Sequence, residues 1–205
     1  MPLDDGTVAE LLNQARLGDE RSVQRLFTEH RERLKQMIRL RLDRRLAARV
    51  DPSDVVQETL AEAVRRLPKY LAEQPIPFYP WLRQIAWERL TKLRERHITA
   101  KRRAVGREER QAWALPDESV LELADRFVAS GTNPSERLVR EELKRRVHAA
   151  LASLSETDRE LLVLRYLEQL SPREARAVLG IGEEAFAKRH LRAIQRLRRV
   201  LQGEK

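Results

Sequence analysis

Residues 155–202 read SETDRELLVLRYLEQLSPREARAVLGIGEEAFAKRHLRAIQRLRRVLQ and contain the start and stop signals of three successive helices. Ser155 and Ser171 each place a hydroxyl at an N-cap, with a carboxylate three residues later, an arrangement that satisfies the free amides of a first helical turn. Pro172 suits a first helical position, and Gly180 suits the residue that follows a helix end. The spacing predicts two short helices and a longer third one, which together form a helix-turn-helix.

The third helix of this stretch, predicted to begin at residues 182–184, is amphipathic. Its apolar side chains share one side: Phe186, Ile194, Leu197 and Leu201. Its cations fall mostly on the other side: Lys188, Arg189, Arg192, Arg196 and Arg199. At 1.5 Å per residue this helix is roughly 28 Å long, enough to lie in a DNA major groove and reach phosphates on either side. His190 falls on the apolar side, and we expect it to be a packed, neutral histidine.

The composition agrees with a nucleic-acid partner. The chain carries a formal net charge of +9, which would attract a polyanion from a distance, although a solvated helical protein can have the same charge. Cysteine is absent, which excludes disulfides, thiol nucleophiles and cysteine-ligated metals. The first six residues contain no apolar run and no segment has the pattern of a membrane span, so we expect a cytoplasmic protein without a membrane partner.

Apolar residues recur at three- and four-residue spacings along most of the chain, and the alternation typical of strands is missing. We therefore predict an all-α protein with two small helical domains, residues 1–100 and 134–205, joined by a charged linker over residues 101–133. The predicted helices of the first domain span residues 7–17, 20–42, 53–67 and 81–96, and residues 135–154 open the second domain. Prolines at positions 68, 75, 77 and 80 predict an irregular segment between two of these helices.

An acidic cluster precedes that irregular segment. Asp51, Asp54, Gln57 and Glu58 bring three carboxylates and an amide into eight residues, and the last three lie on adjoining faces of one predicted helix. Helix capping accounts for Asp51 and Asp54, with Pro52 as the first helical residue, but it does not account for Gln57 and Glu58. A metal site or an acid–base pair would need a partner histidine or a second carboxylate cluster, and neither is evident in the sequence.

The irregular segment and the helix after it combine aromatic and cationic residues. Half of all aromatic residues lie here: Tyr70, Phe78, Tyr79, Trp81 and Trp87. They run into Arg83, Arg89, Lys92, Arg94 and Arg96. Aromatic faces among cations suit unstacked bases, because stacking contributes roughly 1–3 kcal/mol per base. The rings can equally fill a core where helices meet. We expect a core role for Trp81 and Trp87, and base contact for Phe78 and Tyr79 in a proline-flanked loop.

Three ordered segments resemble bacterial RNA polymerase sigma factors of the extracytoplasmic-function group, which belong to the sigma-70 superfamily. The segments are VDPSDVVQET at residues 50–59, WLRQIA at 81–86, and LSPRE at 170–174 continuing through RAI at 192–194. The resemblance covers about residues 20–100 and 135–201. It implies a protein that binds core RNA polymerase and directs promoter-specific transcription initiation, with promoter DNA as a second partner. It implies no catalytic residue, cofactor or metal.

The resemblance also implies roles for individual residues. The first domain would correspond to the second sigma region, and Asp51, Asp54, Gln57 and Glu58 would dock on the clamp helices of the polymerase beta-prime subunit. Contacts with the minus-10 element would come from Tyr70, Phe78, Tyr79, Trp81, Arg83, Gln84, Trp87, Glu88, Thr91 and Lys92. The second domain would correspond to the fourth region and meet the polymerase beta flap. Its contacts with the minus-35 element would come from Arg173, Glu184, Ala187, Lys188, Arg189, Arg192 and Arg196.

Several residues depart from the family pattern. Glu88 stands where an asparagine is usual, and Lys92 stands where an aspartate is usual, so the minus-10 preference of the family does not transfer. Gly182, Ala185 and Ala187 replace the more usual serine, threonine and lysine, which predicts fewer phosphate contacts. Ser53 stands where many members have another acid, and we hypothesise that a phosphate there restores the negative charge. A kinase and an anti-sigma protein are therefore candidate partners.

Two other functions remain open from the sequence. An autonomous DNA-binding regulator would share the helix-turn-helix and would bind specific duplexes without polymerase, as a dimer on a palindrome. It leaves the acidic cluster and the aromatic segment without a role. A metal-dependent nuclease would use Asp51, Asp54 and Glu58 as ligands, and its activity would be lost on Asp54→Ala substitution.

Overall fold

The computed structural model describes residues 3–42, 44–102, 142, 145–147, 149–151 and 153–202. Within these residues the regular structure is helical and contains no strand, which confirms the all-α prediction. The chain divides into two compact units, residues 1–114 and 115–205. The predicted linker over 101–133 lies outside the described residues, apart from residues 101 and 102, which continue a helix. The predicted domain boundaries therefore stay a prediction.

The described helices of the first unit are α1 (Asp5–Arg16), α2 (Glu20–Arg41), α3 (Arg44–Ala47), α4 (Pro52–Glu73) and α5 (Phe78–Arg102). An aspartate caps each of three of these helices. Asp4 accepts a hydrogen bond from the Thr7 amide at 2.9 Å, and Asp19 accepts one from the Ser22 amide at 3.1 Å. Asp51 begins α4 in the same way. The short side-chain carboxylate thus satisfies amides that a first helical turn leaves without a partner.

The core of the first unit lies where α2, α4 and α5 meet. It is built from apolar side chains at helical spacing on each element, including Leu34, Met37, Ile38, Val55, Val56, Leu82, Ile85 and Ala86. The helix α1 packs on α2 and also reaches α4. There, Nε of Arg16 donates to the Leu71 carbonyl at 2.7 Å, close to the end of α4. The first helix is therefore tied to the bundle by both apolar and polar contacts.

The prediction of an irregular segment between α4 and α5 is mostly wrong. The helix α4 passes through Pro68 and ends at Glu73, where Gln74 adopts a left-handed conformation with φ of 39°. Loss of the Pro68 amide removes one helical hydrogen bond, but Leu67 and Tyr70 on the same helix remain buried in the core, and this packing outweighs the loss. The next helix begins at Phe78. It tolerates a proline at its third residue because amides of a first turn need no helical partner.

The described residues of the second unit include the predicted helix-turn-helix. Residues 145–147 and 149–151 are helical and precede α6 (Glu156–Leu162), a π-helical turn (Val163–Leu167), α7 (Pro172–Leu179) and α8 (Glu183–Gln202). The rest of the helix predicted at 135–154 lies largely outside the described residues. The bounds of α6, α7 and α8 confirm the three predicted helices. The core around them includes Leu161, Leu162, Leu164, Leu167, Leu170 and Leu197.

The predicted caps of the second unit are confirmed. Oγ of Ser155 accepts from the Asp158 amide at 3.1 Å. Ser171 and Glu174 form a reciprocal capping box, because Oγ of Ser171 accepts from the Glu174 amide at 3.2 Å and the Glu174 carboxylate accepts from the Ser171 amide at 2.8 Å. Gly180 ends α7 in a left-handed conformation with φ of 64°. The widened π-helical turn was not predicted, and it places Tyr166 beside α8.

Candidate polymerase and nucleic-acid interfaces

The first candidate surface is the acidic start of α4. Asp51, Asp54, Gln57 and Glu58 are exposed, whereas Val55 and Val56 between them are buried. The four predicted side chains therefore lie on the solvent side of one helical segment. The Ser53 amide donates to Asp51 at 2.7 Å, and this hydrogen bond lowers the pKa of the Asp51 carboxyl, with smaller contributions from the Ser53 hydroxyl and two cations of α2. This confirms the capping role expected for Asp51.

A network of ion pairs connects this surface to α5. Arg89, on α5, lies 3.6 Å from Glu58 and 3.5 Å from Glu62, both on α4. Arg66, also on α4, contacts Glu62 at 2.8 Å and reaches across to Glu88 on α5 at 2.9 Å. We call these five residues the α4–α5 charge network. Glu62 and Arg66 were not among the predicted site residues, although their four-residue spacing on one helix was a usable signal.

Two members of the α4–α5 charge network, Glu62 and Arg66, favour each other's charged form. Hydrogen bonds from Arg66 and then Arg65 lower the pKa of the Glu62 carboxyl. The same contact with Glu62, followed by that with Glu88, raises the pKa of the Arg66 guanidinium. At the middle of the network, Glu62 is more shielded from solvent than its partners, with 21% of its side chain exposed. A planar guanidinium held from both ends in this way has a fixed orientation.

Contrary to the prediction, the aromatic residues Phe78 and Tyr79 do not lie in an exposed loop. Phe78 and Tyr79 belong to α5 rather than to a loop, and each is only 2% exposed. The Phe78 ring contacts the rings of Phe27 at 5.9 Å and Tyr70 at 5.8 Å, measured between centroids. Trp81 stacks on Tyr70 at 4.4 Å. The expected exposure of Phe78 and Tyr79 to a base is therefore wrong, because the rings complete the core where α2, α4 and α5 meet.

The exposed side of α5 carries a row of hydrogen-bonding side chains. Gln84, Glu88, Thr91 and Lys92 follow three- and four-residue spacings and are exposed or half-exposed. We call these four residues the α5 polar row. Beside it, the half-buried Trp87 lies between two guanidinium groups, Arg41 at 5.3 Å and Arg83 at 5.4 Å from its ring centroid. Arg83, expected to contact DNA, is only 5% exposed and packs in this cation–π contact instead.

The exposed side of α8 carries most of the residues predicted for the minus-35 element. Glu184, Ala187, Lys188, Arg192 and Arg196 are exposed, and so is Arg173 on α7. Lys188 pairs with Glu184 one turn earlier. Arg189 is half-buried and donates to Asp158 on α6 at 3.2 Å, so its charge also connects two helices.

His190 lies on the inner side of α8. Its Nε2 is 3.0 Å from the Tyr166 hydroxyl, and its ring stacks on the rings of Tyr166 and Phe186. Burial lowers the pKa of His190, and the nearby charge of Arg165 lowers it further. The expected packed, neutral histidine is confirmed.

A metal site does not appear in the part of the chain that the structure describes, since no three histidine, cysteine, aspartate or glutamate side chains gather there to hold an ion. Asp51, Asp54 and Glu58 are therefore not gathered into such a group. Among the same described residues, no helix is long and apolar enough to cross a membrane.

Comparison with known families accounts for both units. Residues 26–103 match the family described as Sigma-70 region 2, and residues 144–197 match the family described as Sigma-70, region 4. The two matches together span more than half of the chain. The chain belongs to the sigma-70 family. The region 2 match begins within α2, so α1 of this sigma-70 chain precedes it, and the match includes the acidic surface and the α4–α5 charge network.

Individual relatives match this sigma-70 chain over different lengths. The RNA polymerase sigma factor FliA of Salmonella typhimurium is 41% identical over 69 residues, which cover 34% of this chain and 29% of FliA. The chain therefore spans less than a third of the first curated relatives that it matches. The ECF RNA polymerase sigma-E factor of the same species is 27% identical over 188 residues, covering 89% of this chain and 88% of that protein.

One solved structure is similar to this chain along most of its length. It is the structure of CnrH in complex with the cytosolic domain of CnrY, and the matched chain is 26% identical with a TM-score of 0.52. The match covers 97% of this sigma-70 chain and 99% of the other. The two family matches and the similarity to the ECF sigma-E factor along most of both chains confirm the resemblance to extracytoplasmic-function sigma factors that the motifs indicated.

Proposed function

We propose that the protein is a sigma factor, a binding protein rather than an enzyme, that attaches to core RNA polymerase and directs transcription from specific promoters. One observation carries the proposal. A single chain joins a region 2 unit, with an exposed acidic surface and an exposed polar row, to a region 4 unit with an exposed cationic helix. An autonomous regulator would have no use for the first of these units.

In this proposal the acidic start of α4 binds polymerase. Exposed carboxylates on a rigid helix suit a basic partner surface, and their buried neighbours Val55 and Val56 hold the helix in place. We assign Asp51, Asp54, Gln57 and Glu58 to the clamp helices of the beta-prime subunit. The second unit would meet the beta flap.

The minus-10 element would be bound by the α5 polar row and the adjacent Trp87. These residues offer donors, acceptors and one partly accessible ring, which suit an opened strand. The buried rings of Tyr70, Phe78 and Tyr79 support this surface from the core, and Trp81 stacks on Tyr70. Binding of the exposed strand would supply the energy for opening the start site, without nucleotide hydrolysis.

The minus-35 element would be bound by α8. Its cations Arg192 and Arg196 are exposed, whereas Phe186 and Leu197 on the same helix are buried. A helix placed in a major groove presents such cations to phosphates and its nearer side chains to base edges. Arg173, on α7, would add a contact from the start of the preceding helix, and Glu184, Ala187 and Lys188 would face the groove.

Two kinds of regulator fit the proposal. The structural relative CnrH is in complex with the cytosolic domain of CnrY, and we propose by analogy that an anti-sigma protein binds the present chain. A kinase acting on Ser53 is the second. Its half-exposed side chain bonds to Asp51, so a phosphate there would replace this bond and add negative charge to the polymerase-binding surface.

Polymerase binding tests the proposal. The affinity of fluorescently labelled protein for purified bacterial core polymerase is measured for the wild type and for an Asp54→Ala, Glu58→Ala variant. We expect a loss of at least about fivefold, because both charges lie on the docking surface. Glu73→Ala removes one exposed carboxylate from the other end of the same helix and is the control for a charge lost outside the proposed docking surface. If the protein does not bind polymerase but binds specific duplexes without it, the protein is an autonomous regulator and not a sigma factor.

A further inference from the structure

Glu88 is held by a cation from the neighbouring helix. Nη1 of Arg66, on α4, donates to Oε2 of Glu88, on α5, at 2.9 Å. Both side chains remain partly exposed, 40% for Arg66 and 37% for Glu88, so the pair lies at the surface. The bond uses one carboxylate oxygen and leaves Oε1 for another donor. Because Glu88 is a member of the α5 polar row, that donor can belong to a bound base.

Glu62 orients Arg66 through the other edge of its guanidinium group. Its Nε donates to Oε1 of Glu62 at 2.8 Å, on the same helix and one turn earlier. A guanidinium is planar, so two hydrogen bonds at different edges fix both its position and its plane. Arg65, the adjacent residue, also pairs with Glu62 at 2.5 Å, but it is 67% exposed and its pairing stays within α4. Of these two adjacent arginines, only Arg66 connects Glu62 to Glu88.

A carboxylate held in this way can bind only hydrogen-bond donors. A carboxylate can only accept hydrogen bonds, whereas the asparagine usual at this position can both accept and donate. Adenine, cytosine and guanine each carry an exocyclic amino group that can donate to it. Thymine has no amino group, and its single N–H lies between two carbonyl oxygens that repel a carboxylate. A fixed Glu88 therefore discriminates against thymine.

We propose that Arg66, oriented by Glu62, is a positioning residue that fixes Glu88 so that the position of the minus-10 element facing it rejects thymine. The inference rests on the proposed function, because it requires α5 to face promoter DNA. It assigns a specificity role to two residues of α4 that do not themselves belong to the α5 polar row. The charge of Arg66 serves its neighbour and not the phosphate backbone.

The test uses promoters recovered by transcription of fragmented genomic DNA with core polymerase and this protein. Each base pair of the minus-10 element is replaced in turn by the three others, and transcript yield is measured for every template. The proteins are the wild type, Arg66→Gln, Arg66→Lys, Glu88→Gln and the control Arg65→Gln. The result for each protein is the ratio of yields among the four bases at one position. That ratio does not change if a variant is merely less stable.

We expect the wild type to lose about tenfold in yield when thymine occupies one position. Arg66→Gln reduces that loss to about threefold, and Arg66→Lys does the same because an ammonium cannot bridge two carboxylates in the guanidinium geometry. Glu88→Gln accepts thymine, since its amide can donate to a thymine carbonyl. Arg65→Gln retains the wild-type ratio.

Two results would overturn the inference while the proposed function stands. One is an Arg66→Gln variant that lowers the yield equally for all four bases and is rescued by Arg66→Lys, which identifies a phosphate contact. The other is a wild-type protein that transcribes but discriminates against thymine at no position. If the wild type gives no protein-dependent transcript, the proposed function fails and the inference falls with it.

Discussion

Nε2 of His190 lies 3.0 Å from the Tyr166 hydroxyl and joins α8 to the π-helical turn. This contact lies on the inner side of the helix that carries the exposed Arg192 and Arg196. Stacking with Phe186 and Tyr166 also restricts the orientation of the imidazole. The orientation of the exposed cationic side of α8 is therefore set partly by a histidine that packs on its inner side.

The stability of the second unit should depend on the protonation of His190. Burial lowers the pKa of His190 below its ordinary value of 6.5, so the unfolded chain binds this proton more readily than the folded one. The contribution to stability is then fully present above pH 6.5 and is lost as the pH falls through the lowered pKa. Thermal unfolding at about pH 8 and about pH 5 measures the effect. The His190→Gln variant should show a smaller difference in unfolding temperature between the two pH values. A difference equal to that of the wild type would show that His190 does not cause the pH dependence.

Phe78 should contribute to stability as a core residue. Phe78→Ala leaves a cavity beside Phe27 and Tyr70 and should lower the unfolding free energy by about 3–5 kcal/mol, measured by urea titration. Gln84→Ala changes an exposed residue of the same helix and should stay within about 0.5 kcal/mol of the wild type. If the Phe78→Ala protein is as stable as the Gln84→Ala control, Phe78 is not a core residue.

The turn between α7 and α8 offers two glycines with different requirements. Gly180 has φ of 64°, a conformation that costs about 1 kcal/mol or more for alanine, although a β-carbon at this residue would meet no other atom within 4 Å. Gly182 also has open space, but its φ lies outside the left-handed region. Gly180→Ala should therefore lower the unfolding temperature, whereas Gly182→Ala should leave it nearly unchanged or raise it. Equal effects would show that backbone conformation is not the cause.

The exposed cations of α8 should set the salt dependence of duplex binding. Arg192→Gln and Arg196→Gln should each reduce the slope of log affinity against log salt by about 0.9, the value for one lost phosphate contact. Affinity for a mixed-sequence duplex is measured over a series of salt concentrations. Arg65→Gln removes the same charge from the other unit and should leave the slope unchanged. A uniform change in all three variants would indicate net charge rather than phosphate contact.

Local interactions are the features that the sequence predicts best. The Ser171–Glu174 capping box and the left-handed Gly180 involve residues within a few positions of one another, so residue type and spacing are sufficient. The amphipathic pattern of α8 similarly predicts which side of it packs. The acidic start of α4 is predicted to be exposed because its neighbours Val55 and Val56 are apolar.

Features that depend on tertiary packing are predicted poorly. Pro68 is expected to end a helix, but burial of Leu67 and Tyr70 outweighs its missing hydrogen bond. The flanking prolines predict a loop at Phe78 and Tyr79, and nothing in their local sequence signals the ring cluster that buries them. The Arg66–Glu88 pair joins residues 22 positions apart, a contact that spacing along one helix cannot reveal.

Reconstituted transcription decides whether the protein acts as a sigma factor. Purified bacterial core polymerase is incubated with fragmented DNA from the source genome, with wild-type protein or with the Asp54→Ala, Glu58→Ala variant, and run-off transcripts are sequenced. The account predicts new transcript starts that require the protein and weaken in the variant. Polymerase that gains no start in the presence of the folded wild-type protein would contradict it.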